Sequence, residues 1–335
     1  MAFSIISQEK FVHWKLVLSL NEFSLIDTFF KSGAIERTDV VFGIGDDAAC
    51  LEIPSDRHLL VSTDTLVAEV HFLSAWDPYD IAWKAVMVNV SDMAAMAAAP
   101  CWMSLALTMP TASESWLSRF SQGFQAALAR YNIALIGGDT TRGPLSLSLT
   151  IHGLVPRGKA VRRCNAKPGD TVWVSGELGA AALAVAYLQD DTIPAEDKAI
   201  MMDKLLHPVP RIDLINYLQL WASACIDISD GLSADLNHIC EQSGVGACIV
   251  WSKVPVHPLV SKYRQNATEF AFSGGDDYEL CFTIPEVYQQ TFFEEITRNG
   301  ITCYPIGVIQ EEKGLRSLQE TGRVSPLIPK GFAHF

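Results

Sequence analysis

Five short segments of the sequence share one pattern, in which an apolar run is followed by small residues and then by Asp. They are GIGDD (43–47), STD (62–64), IGGD (136–139), IDISDG (226–231) and SGGDD (273–277). Glycine lets a backbone approach a ligand closely, and carboxylates at the ends of strands can converge on one cleft. Carboxylates gathered in this way repel one another unless cations lie between them, and Mg²⁺ prefers such oxygen ligands and commonly binds phosphates with them. The pattern therefore predicts a shared acidic site for Mg²⁺ and a phosphorylated ligand.

Each segment also has a simpler interpretation, because Asp and Gly are common in turns. GIGDDA matches the relaxed dinucleotide-binding pattern GxGxxA, but AACLEIP, which overlaps its end, predicts a strand where that pattern requires a helix. The sequence contains neither the GxxxxGK(S/T) phosphate-binding loop nor the GxSxG nucleophile motif. The recurrence of the aspartate pattern at five strand ends favours a shared site over five separate turns.

Three further groups could take part in such a site. Asp92 lies three residues after Asn89 on one face of an otherwise apolar predicted helix, where a carboxylate needs a metal, a hydrogen-bonding partner or a capping role. His71 follows a predicted strand and could contact a substrate or cap a turn. Several arginines could clamp a phosphate or lie in solvated loops: Arg142, Arg157, Arg162 and Arg163.

The elements that must position these residues alternate between strands and helices. VVFGIG and HLLVSTD predict strands, and Asp77-Pro78 predicts the start of a helix that runs towards Ala99. TASE (111–114) has the form of a capping box that opens a second helix to Arg130. In the second half, TVWVSG, ACIDIS, GACIVW, FAFSGGD and YELCFTI predict strands, and LSADLNHICEQ predicts a helix stopped by Gly244. The fold class predicted is α/β (α+β).

Two domains and a short extension are expected. The chain has 335 residues, and the turn-rich stretch PRGKAVRRCNAKPGD (156–170) separates two similar halves. We assign an N-terminal domain to 22–155, a C-terminal domain to 156–335 and an extension to 1–21, whose apolar run FVHWKLVLSL is a poor signal peptide and too short to span a bilayer.

Charge and cysteine usage limit the partners and the compartment. Lys and Arg number 25 against 38 Asp and Glu, and the net charge of −13 argues against nucleic acid or an anionic membrane as a main partner. The eight cysteines form no CxxC pair, and several lie in apolar runs, so reduced, buried thiols and a cytoplasmic location are expected.

A resemblance extends this interpretation over almost the whole chain. Seven segments, in this order from Glu22 towards KGFAHF, resemble those of the thiamine-monophosphate kinase family: EFSLI, GIGDDAA, STDTLVAEVHF, NVSDMAAMAAAP, IGGDTTRGPLS, IDISDGLSADL and SGGDDYELCF. That family shares a superfamily with aminoimidazole-ribonucleotide synthetase and selenophosphate synthetase. The resemblance implies a two-domain fold like that of the synthetase, in which N-terminal domains pair in a homodimer and each C-terminal domain closes over the active site.

The resemblance also implies a reaction and roles for individual residues. The reaction is ATP-dependent phosphorylation of thiamine monophosphate to thiamine diphosphate, the final step of thiamine diphosphate biosynthesis, assisted by several Mg²⁺ ions. Matching positions imply metal binding by Asp47, Ser62, Thr63, Asp64, Asp92, Asp139, Asp227 and Asp230. They imply ATP binding by Gly138, Asp139, Arg163 and Ser229, and binding of thiamine monophosphate by His71, Asp276 and Phe332.

Some alternatives stay open at this stage. The family usually has SGGED, whereas this chain has the shorter Asp276 in place of the Glu that contacts the substrate. Direct in-line attack by the acceptor phosphate needs no strong general base, but transfer through a phosphorylated Asp is a competing mechanism. The remaining functional alternatives are another ATP-dependent enzyme of the superfamily and a non-catalytic dimer that binds Mg²⁺ and nucleotide.

Overall fold

The computed structural model of the chain describes residues 22–332, so the predicted extension at 1–21 and the last three residues lie outside the described part. Within 22–332, the strands form sheets of two, four and seven strands. Helices and strands occur in both halves of the chain, as the predicted fold class requires. No helix of this part of the chain combines the length and the hydropathy that crossing a membrane requires.

The first half of the chain contributes the two smaller sheets. Its elements are α1 (Glu22–Ile26), which continues as a π-helical turn (Asp27–Lys31), β1 (Val40–Phe42), β2 (Cys50–Leu51), β3 (Arg57–Val67), α2 (Pro78–Ala95), β4 (Ala99–Met109), α3 (Glu114–Arg130), β5 (Ala134–Arg142) and β6 (Ser146–Pro156).

The second half contributes the seven-stranded sheet and its helices. The elements are β7 (Thr171–Val174), α4 (Ala180–Ala186), α5 (Ala195–Leu206), α6 (Ile215–Trp221), β8 (Ala224–Asp227), α7 (Leu232–Ser243), β9 (Gly246–Val250), α8 (Pro258–Tyr263), α9 (Ala267–Ser273), β10 (Leu280–Ile284), α10 (Gln289–Arg298), β11 (Tyr304–Gln310), β12 (Gly314–Leu318) and β13 (Val324–Leu327).

The four-stranded sheet has the order β3-β6-β4-β5, with β4 and β5 parallel and the other pairs antiparallel. Alternate side chains of β6, including Leu147, Leu149 and Ile151, are buried in the core that contains the apolar residues of α2 and α3. The opposite face carries hydroxyl groups, since the Oγ atoms of Thr65 and Ser148 approach to 2.7 Å across β3 and β6. One face of this sheet therefore forms a core, and the other is polar.

Helix α2 is buried on nearly every side. The Asp77 side chain accepts a hydrogen bond from the Tyr79 N–H at 2.9 Å and Pro78 occupies the first turn, which confirms the predicted start. The helix ends at Ala95 instead of running towards Ala99, because Ala97 takes a φ of +55° and Ala99 already belongs to β4. A helix that is apolar all round lies between layers, here between the N-terminal sheet and elements of the C-terminal half. Polar residues on α2 are consequently drawn into the interior.

The seven-stranded sheet has the order β13-β12-β9-β11-β7-β10-β8, and only β9 and β12 are parallel among its neighbours. This mainly antiparallel pairing makes the C-terminal half α+β in character. Strand β8 lies at one edge, and its last residue, Asp227, accepts a hydrogen bond from the Ser91 hydroxyl of α2 at 2.8 Å. The end of β8 therefore meets the N-terminal half.

Two further local predictions from the sequence are wrong, besides the end of α2. The N-cap of α3 is Ser113 and not Thr111 of the TASE segment, and the Ser113 hydroxyl accepts a hydrogen bond from the Trp116 N–H at 3.4 Å.

The second concerns FAFSGGD, which was predicted as a strand. It forms the short helix α9, which buries the adjacent residues Ala271 and Phe272 against α7 and α8. A short apolar run does not distinguish a strand from a helix by its periodicity, and here the helical neighbours decide.

We predict that Gly138→Ala lowers the free energy of unfolding by about 1–3 kcal/mol, because overpacking of this size forces the backbone apart. A methyl group at this position would lie 1.9 Å from the Leu105 carbonyl oxygen of the neighbouring strand, whereas one at Gly137 would meet nothing within 4 Å. Gly137→Ala is therefore the matched control, with a change of at most about 0.5 kcal/mol. Urea denaturation of both variants measures the difference, and equal midpoints would contradict the packing account.

Candidate active site

A cleft of about 470 Å³ opens between the four-stranded sheet and loops of the C-terminal half. Most of the residues that the sequence analysis singles out line it: Thr63, Asp64, His71, Asp92, Asp227, Ser229, Asp230, Asp276 and Phe332. Ser62 is connected to the same cleft, since its Oγ donates to Oδ2 of Asp92 at 2.5 Å. The structure thus brings residues from β3, α2, the end of β8 and the segment after α9 into one space.

Three carboxylates face one another in this cleft. Burial raises the pKa of Asp64 to about 6, and the charge of Asp92 adds to the shift. Burial raises the pKa of Asp227 to about 7, with further contributions from Asp92 and Asp64. The pKa of Asp92 is also raised by burial, against the opposing effects of the Ser62 hydrogen bond and the Arg163 charge. Each carboxylate is therefore held where its own negative charge is unfavourable.

These residues fit Mg²⁺ by the chemistry of their donor atoms. The carboxylates and the Ser62 hydroxyl offer only oxygen, and Mg²⁺ binds through carboxylates while it keeps some of its waters. The Thr63 hydroxyl bonds to that of Thr150 at 2.8 Å on the opposite face of the sheet, so its side chain does not join them. A cation between the carboxylates would offset the cost of burying their charges and the repulsion that adds to the raised pKa values of Asp64 and Asp227. In the part of the chain that the structure describes, no three acidic, histidine or cysteine side chains already stand at the spacing of a metal's ligand shell. A bound cation would have to draw the carboxylates inwards.

The loop after β8 is fixed by a carboxylate that the sequence analysis missed. Asp235, in the first turn of α7, accepts hydrogen bonds from the N–H groups of Asp230 and Gly231 at 3.2 and 3.1 Å. Burial raises the pKa of Asp235 to about 8, and the Asp227 and Asp230 charges contribute. Gly231 has a φ of +121°, and a methyl group there would lie 2.7 Å from the Ser273 carbonyl oxygen. The segment IDISDGLSAD therefore needs both its glycine and its last aspartate to present Asp230.

The predicted ATP residues of the second half lie beside this cleft. Ser229 lines it, and its carbonyl accepts the Asp276 N–H at 2.8 Å. Arg163 is exposed, and its positive charge lowers the pKa values of Asp92 and Asp227 against the larger effect of burial. Arg163 therefore acts on the carboxylates through its charge.

The three predicted substrate residues occupy one end of the cleft. His71 accepts the Val67 N–H at Nδ1 over 3.0 Å, which leaves Nε2 as the protonated nitrogen of the neutral ring. The Phe332 N–H donates to the Asp230 carbonyl at 3.1 Å, so that the C-terminal segment lies against the acidic loop. Asp276 forms an ion pair of 3.1 Å with Lys84 of α2.

Lys84 was missed by the sequence analysis, although a lone charged residue in the apolar run WKAVMV indicates that its side chain has a partner in the interior.

Asp47, Gly138 and Asp139 lie elsewhere, in a second cleft of about 580 Å³ formed by the loop before β2 and by strand β5. Thr141 donates its hydroxyl to Oδ2 of Asp139 at 2.8 Å. Strands β3 and β5 are the two edges of the four-stranded sheet. Asp64 and Gly138 lie at the same level along these edges, because both belong to one row of paired residues that crosses the sheet. Since neighbouring strands are about 4.8 Å apart, the two acidic groups are separated by roughly 14 Å within one chain.

Family models cover most of the chain. Residues 45–155 match the model of the AIR synthase related protein N-terminal domain, and residues 167–318 match that of the AIR synthase related protein C-terminal domain. Among curated proteins, the thiamine-monophosphate kinase of Salmonella typhimurium is 44% identical over 323 residues, which is 95% of this chain and 99% of that protein.

Two solved structures agree with this family relationship. The crystal structure of thiamine-monophosphate kinase from Stenotrophomonas maltophilia has a TM-score of 0.81 and 42% identity, and the match covers 88% of this chain and 95% of that one. A structure of AaThiL complexed with AMPPCP and TMP has a TM-score of 0.74 and 32% identity, with full coverage of both chains.

We predict that Asp227→Asn stabilises the metal-free protein at pH 8 by roughly 1–3 kcal/mol, because it removes a charge that burial makes unfavourable. Because the folded carboxyl group keeps its proton up to about pH 7 while the unfolded one loses it near 3.8, stability falls as the pH rises between these two values, and the gain from the variant is smaller at pH 5. The same variant should lose most of the stabilisation that added Mg²⁺ gives to the wild type. Thermal denaturation in EDTA and in Mg²⁺ measures both effects.

The matched control for this prediction is Asp191→Asn, since the side chain of Asp191 is fully exposed and lies outside the cleft. It should leave both melting temperatures unchanged. A destabilised metal-free Asp227→Asn protein, or one that gains as much from Mg²⁺ as the wild type, would contradict the account of the cleft.

Proposed function

The chain belongs to the thiamine-monophosphate kinase family, and on that basis we propose that it transfers the γ-phosphoryl group of ATP to thiamine monophosphate to form thiamine diphosphate. The observation that carries this proposal is the convergence of Asp64, Asp92 and Asp227 in a cleft between the two halves of the chain. Thiamine diphosphate formation is the final step of its biosynthesis. AaThiL, a structural neighbour, has been solved with AMPPCP and TMP, which supports ATP as the phosphoryl donor.

We propose that Mg²⁺ ions bind to Asp64, Asp92, Asp227 and Asp230 with oxygen atoms of Ser62 and Thr63. Such ions, when bound, neutralise charge between the ATP phosphates and the acceptor phosphate. The carboxylates of this chain fix the site for them, and Ser62 and Ser91 orient Asp92 and Asp227 by hydrogen bonds. The acceptor phosphate is already ionised, so direct in-line attack needs no strong general base from the protein.

The end of the cleft near Asp276 suits the cationic part of thiamine monophosphate. The Asp276 side chain is one-third exposed, and Phe332 is 52% exposed; both line the cleft. A carboxylate attracts a cation, and an aromatic face stacks on a planar heterocycle. We propose that Asp276 and Phe332 contact the thiamine rings and that His71 holds the phosphate-bearing side, with Asp276 in the role that Glu has in the family.

We propose a homodimer in which each active site is completed by both chains. Asp47, Gly138 and Asp139 are separated from Asp64 by the width of the four-stranded sheet. The sheet face away from α2 and α3 has Val61 57% exposed, together with a row of hydroxyl groups. Pairing of these sheets around a two-fold axis would bring the β5 edge of one chain to the β3 edge of its partner. ATP would then be bound by Gly138 and Asp139 of one chain and by Ser229 and Arg163 of the other.

The cytoplasm is the compartment that we propose. All eight cysteines are free, and six of them are buried. Buried, unpaired thiols are typical of proteins that work in a reducing compartment. ATP and free Mg²⁺, the other requirements of the proposed reaction, suit the same location.

We predict that the wild-type protein converts thiamine monophosphate to thiamine diphosphate with ATP and Mg²⁺, and that Asp64→Asn lowers kcat at least roughly 100-fold, because a proposed metal ligand is lost. Chromatographic detection of thiamine diphosphate measures both rates. Asp191→Asn is again the control, with wild-type turnover expected. Absence of product from the wild type, despite binding of ATP, would refute the kinase function and favour a non-catalytic nucleotide-binding dimer.

A second prediction concerns the shared site. Asp64→Asn and Asp139→Asn should each be inactive alone, but a co-expressed mixture should regain about one quarter of the wild-type activity, because half of the dimers are mixed and each has one intact site. Differently tagged chains allow the mixed dimers to be purified and assayed. If mixed dimers are no more active than either variant alone, both aspartates act within one chain.

A further inference from the structure

Lys84 is a fully buried cation at the wall of the cleft. The residue is 1% exposed, its Nζ donates to the Leu205 carbonyl at 3.0 Å and pairs with Oδ1 of Asp276 at 3.1 Å, and it lies 5.8 Å from the centre of the Tyr278 ring. Lysine is almost never fully buried unless it is paired. The ammonium group is thus held by a carbonyl, a carboxylate and an aromatic face, all of which belong to the C-terminal half.

The backbone of the Asp276 segment is held separately from its side chain. Asp276 and Tyr278 have φ values of +67° and +51°, a region that residues other than glycine rarely occupy. Their N–H groups donate to the carbonyls of Ser229 and Ile228 at 2.8 and 2.9 Å, and these bonds fix the main chain within the C-terminal half. The Asp276 carboxylate, by contrast, is in an ion pair with a residue of the N-terminal half.

We propose that Lys84 is a positioning residue for thiamine monophosphate, which acts by fixing the Asp276 carboxylate towards the cleft. This inference rests on the proposed function. Aspartate has one methylene fewer than glutamate, so its carboxylate swings through a smaller arc, and a fixed ammonium group selects one orientation of it. Because Lys84 and Asp276 come from the two halves of the chain, the orientation is defined only when the halves are docked.

The packing of this part of α2 against the C-terminal half does not depend on Lys84 alone. His207, which follows α5, places Nε2 3.0 Å from Oδ1 of Asp80, and its ring packs edge-to-face on Trp83 with a centroid distance of 5.9 Å. These contacts lie on α2 next to Lys84 and join the same two halves. Loss of the ammonium group should therefore disturb the Asp276 carboxylate more than the association of the halves.

The test is a double-mutant cycle between Lys84→Met and Asp276→Asn with separate Michaelis constants for the two substrates. Each single variant should raise KM for thiamine monophosphate by roughly 10- to 100-fold, the range for loss of a hydrogen bond to a charged group. KM for ATP should stay within threefold of wild type, as should kcat. The double variant should be no worse than Asp276→Asn alone, because Lys84 acts through Asp276.

Lys313→Met is the control, because Lys313 is exposed between β11 and β12 and lies outside the cleft, and it should leave both KM values unchanged. If Lys84→Met does not fold, Lys84→Gln replaces it, since its amide keeps N–H donors but lacks the positive charge; a rise in KM for thiamine monophosphate alone is expected again. An equal rise in KM for ATP, additive effects in the double variant, or wild-type constants would overturn the inference. Lack of thiamine diphosphate from the wild type would instead refute the proposed function.

Discussion

The burial of three carboxylates, Asp64, Asp92 and Asp227, in one cleft is the constraint on which the rest of the structure depends. The three carboxylates come from β3, α2 and β8, and burial raises the pKa of each of them. A fold that only had to be stable would not bring them together, because each charge is unfavourable there. The site makes physical sense when cations and phosphates occupy it, which is the condition of a phosphoryl-transfer enzyme.

Helix α2 imposes this arrangement on the two halves of the chain. It is buried on nearly all sides. Its Asp92 is one of the three carboxylates, its Ser91 hydroxyl donates to a second one, and its Lys84 forms an ion pair with Asp276. Because this mainly apolar helix is close-packed between two layers, it can shift little, and the positions of the polar residues on it are fixed as well. The same burial that stabilises the fold thereby sets the distances in the site.

The strand-end aspartates could be predicted from the sequence, because their local pattern is visible along the chain. Lys84 and Asp235 could not be assigned roles, since the partner of Lys84 in Asp276 is remote in sequence and Asp235 only caps a loop whose path the fold decides. The separation of Asp139 from Asp64 depends on strand order, which the pattern of apolar residues does not encode. FAFSGGD was misassigned because burial by α7 and α8, not local propensity, makes it helical.

The central claim is that cations fill the space between the three carboxylates. It is tested most directly by a crystal structure of the protein with Mn²⁺ in place of Mg²⁺, a non-hydrolysable ATP analogue and thiamine monophosphate. The account predicts anomalous scattering peaks between Asp64, Asp92 and Asp227, with phosphate oxygens completing the ligand shells. Occupied nucleotide without a peak among these three carboxylates would contradict it.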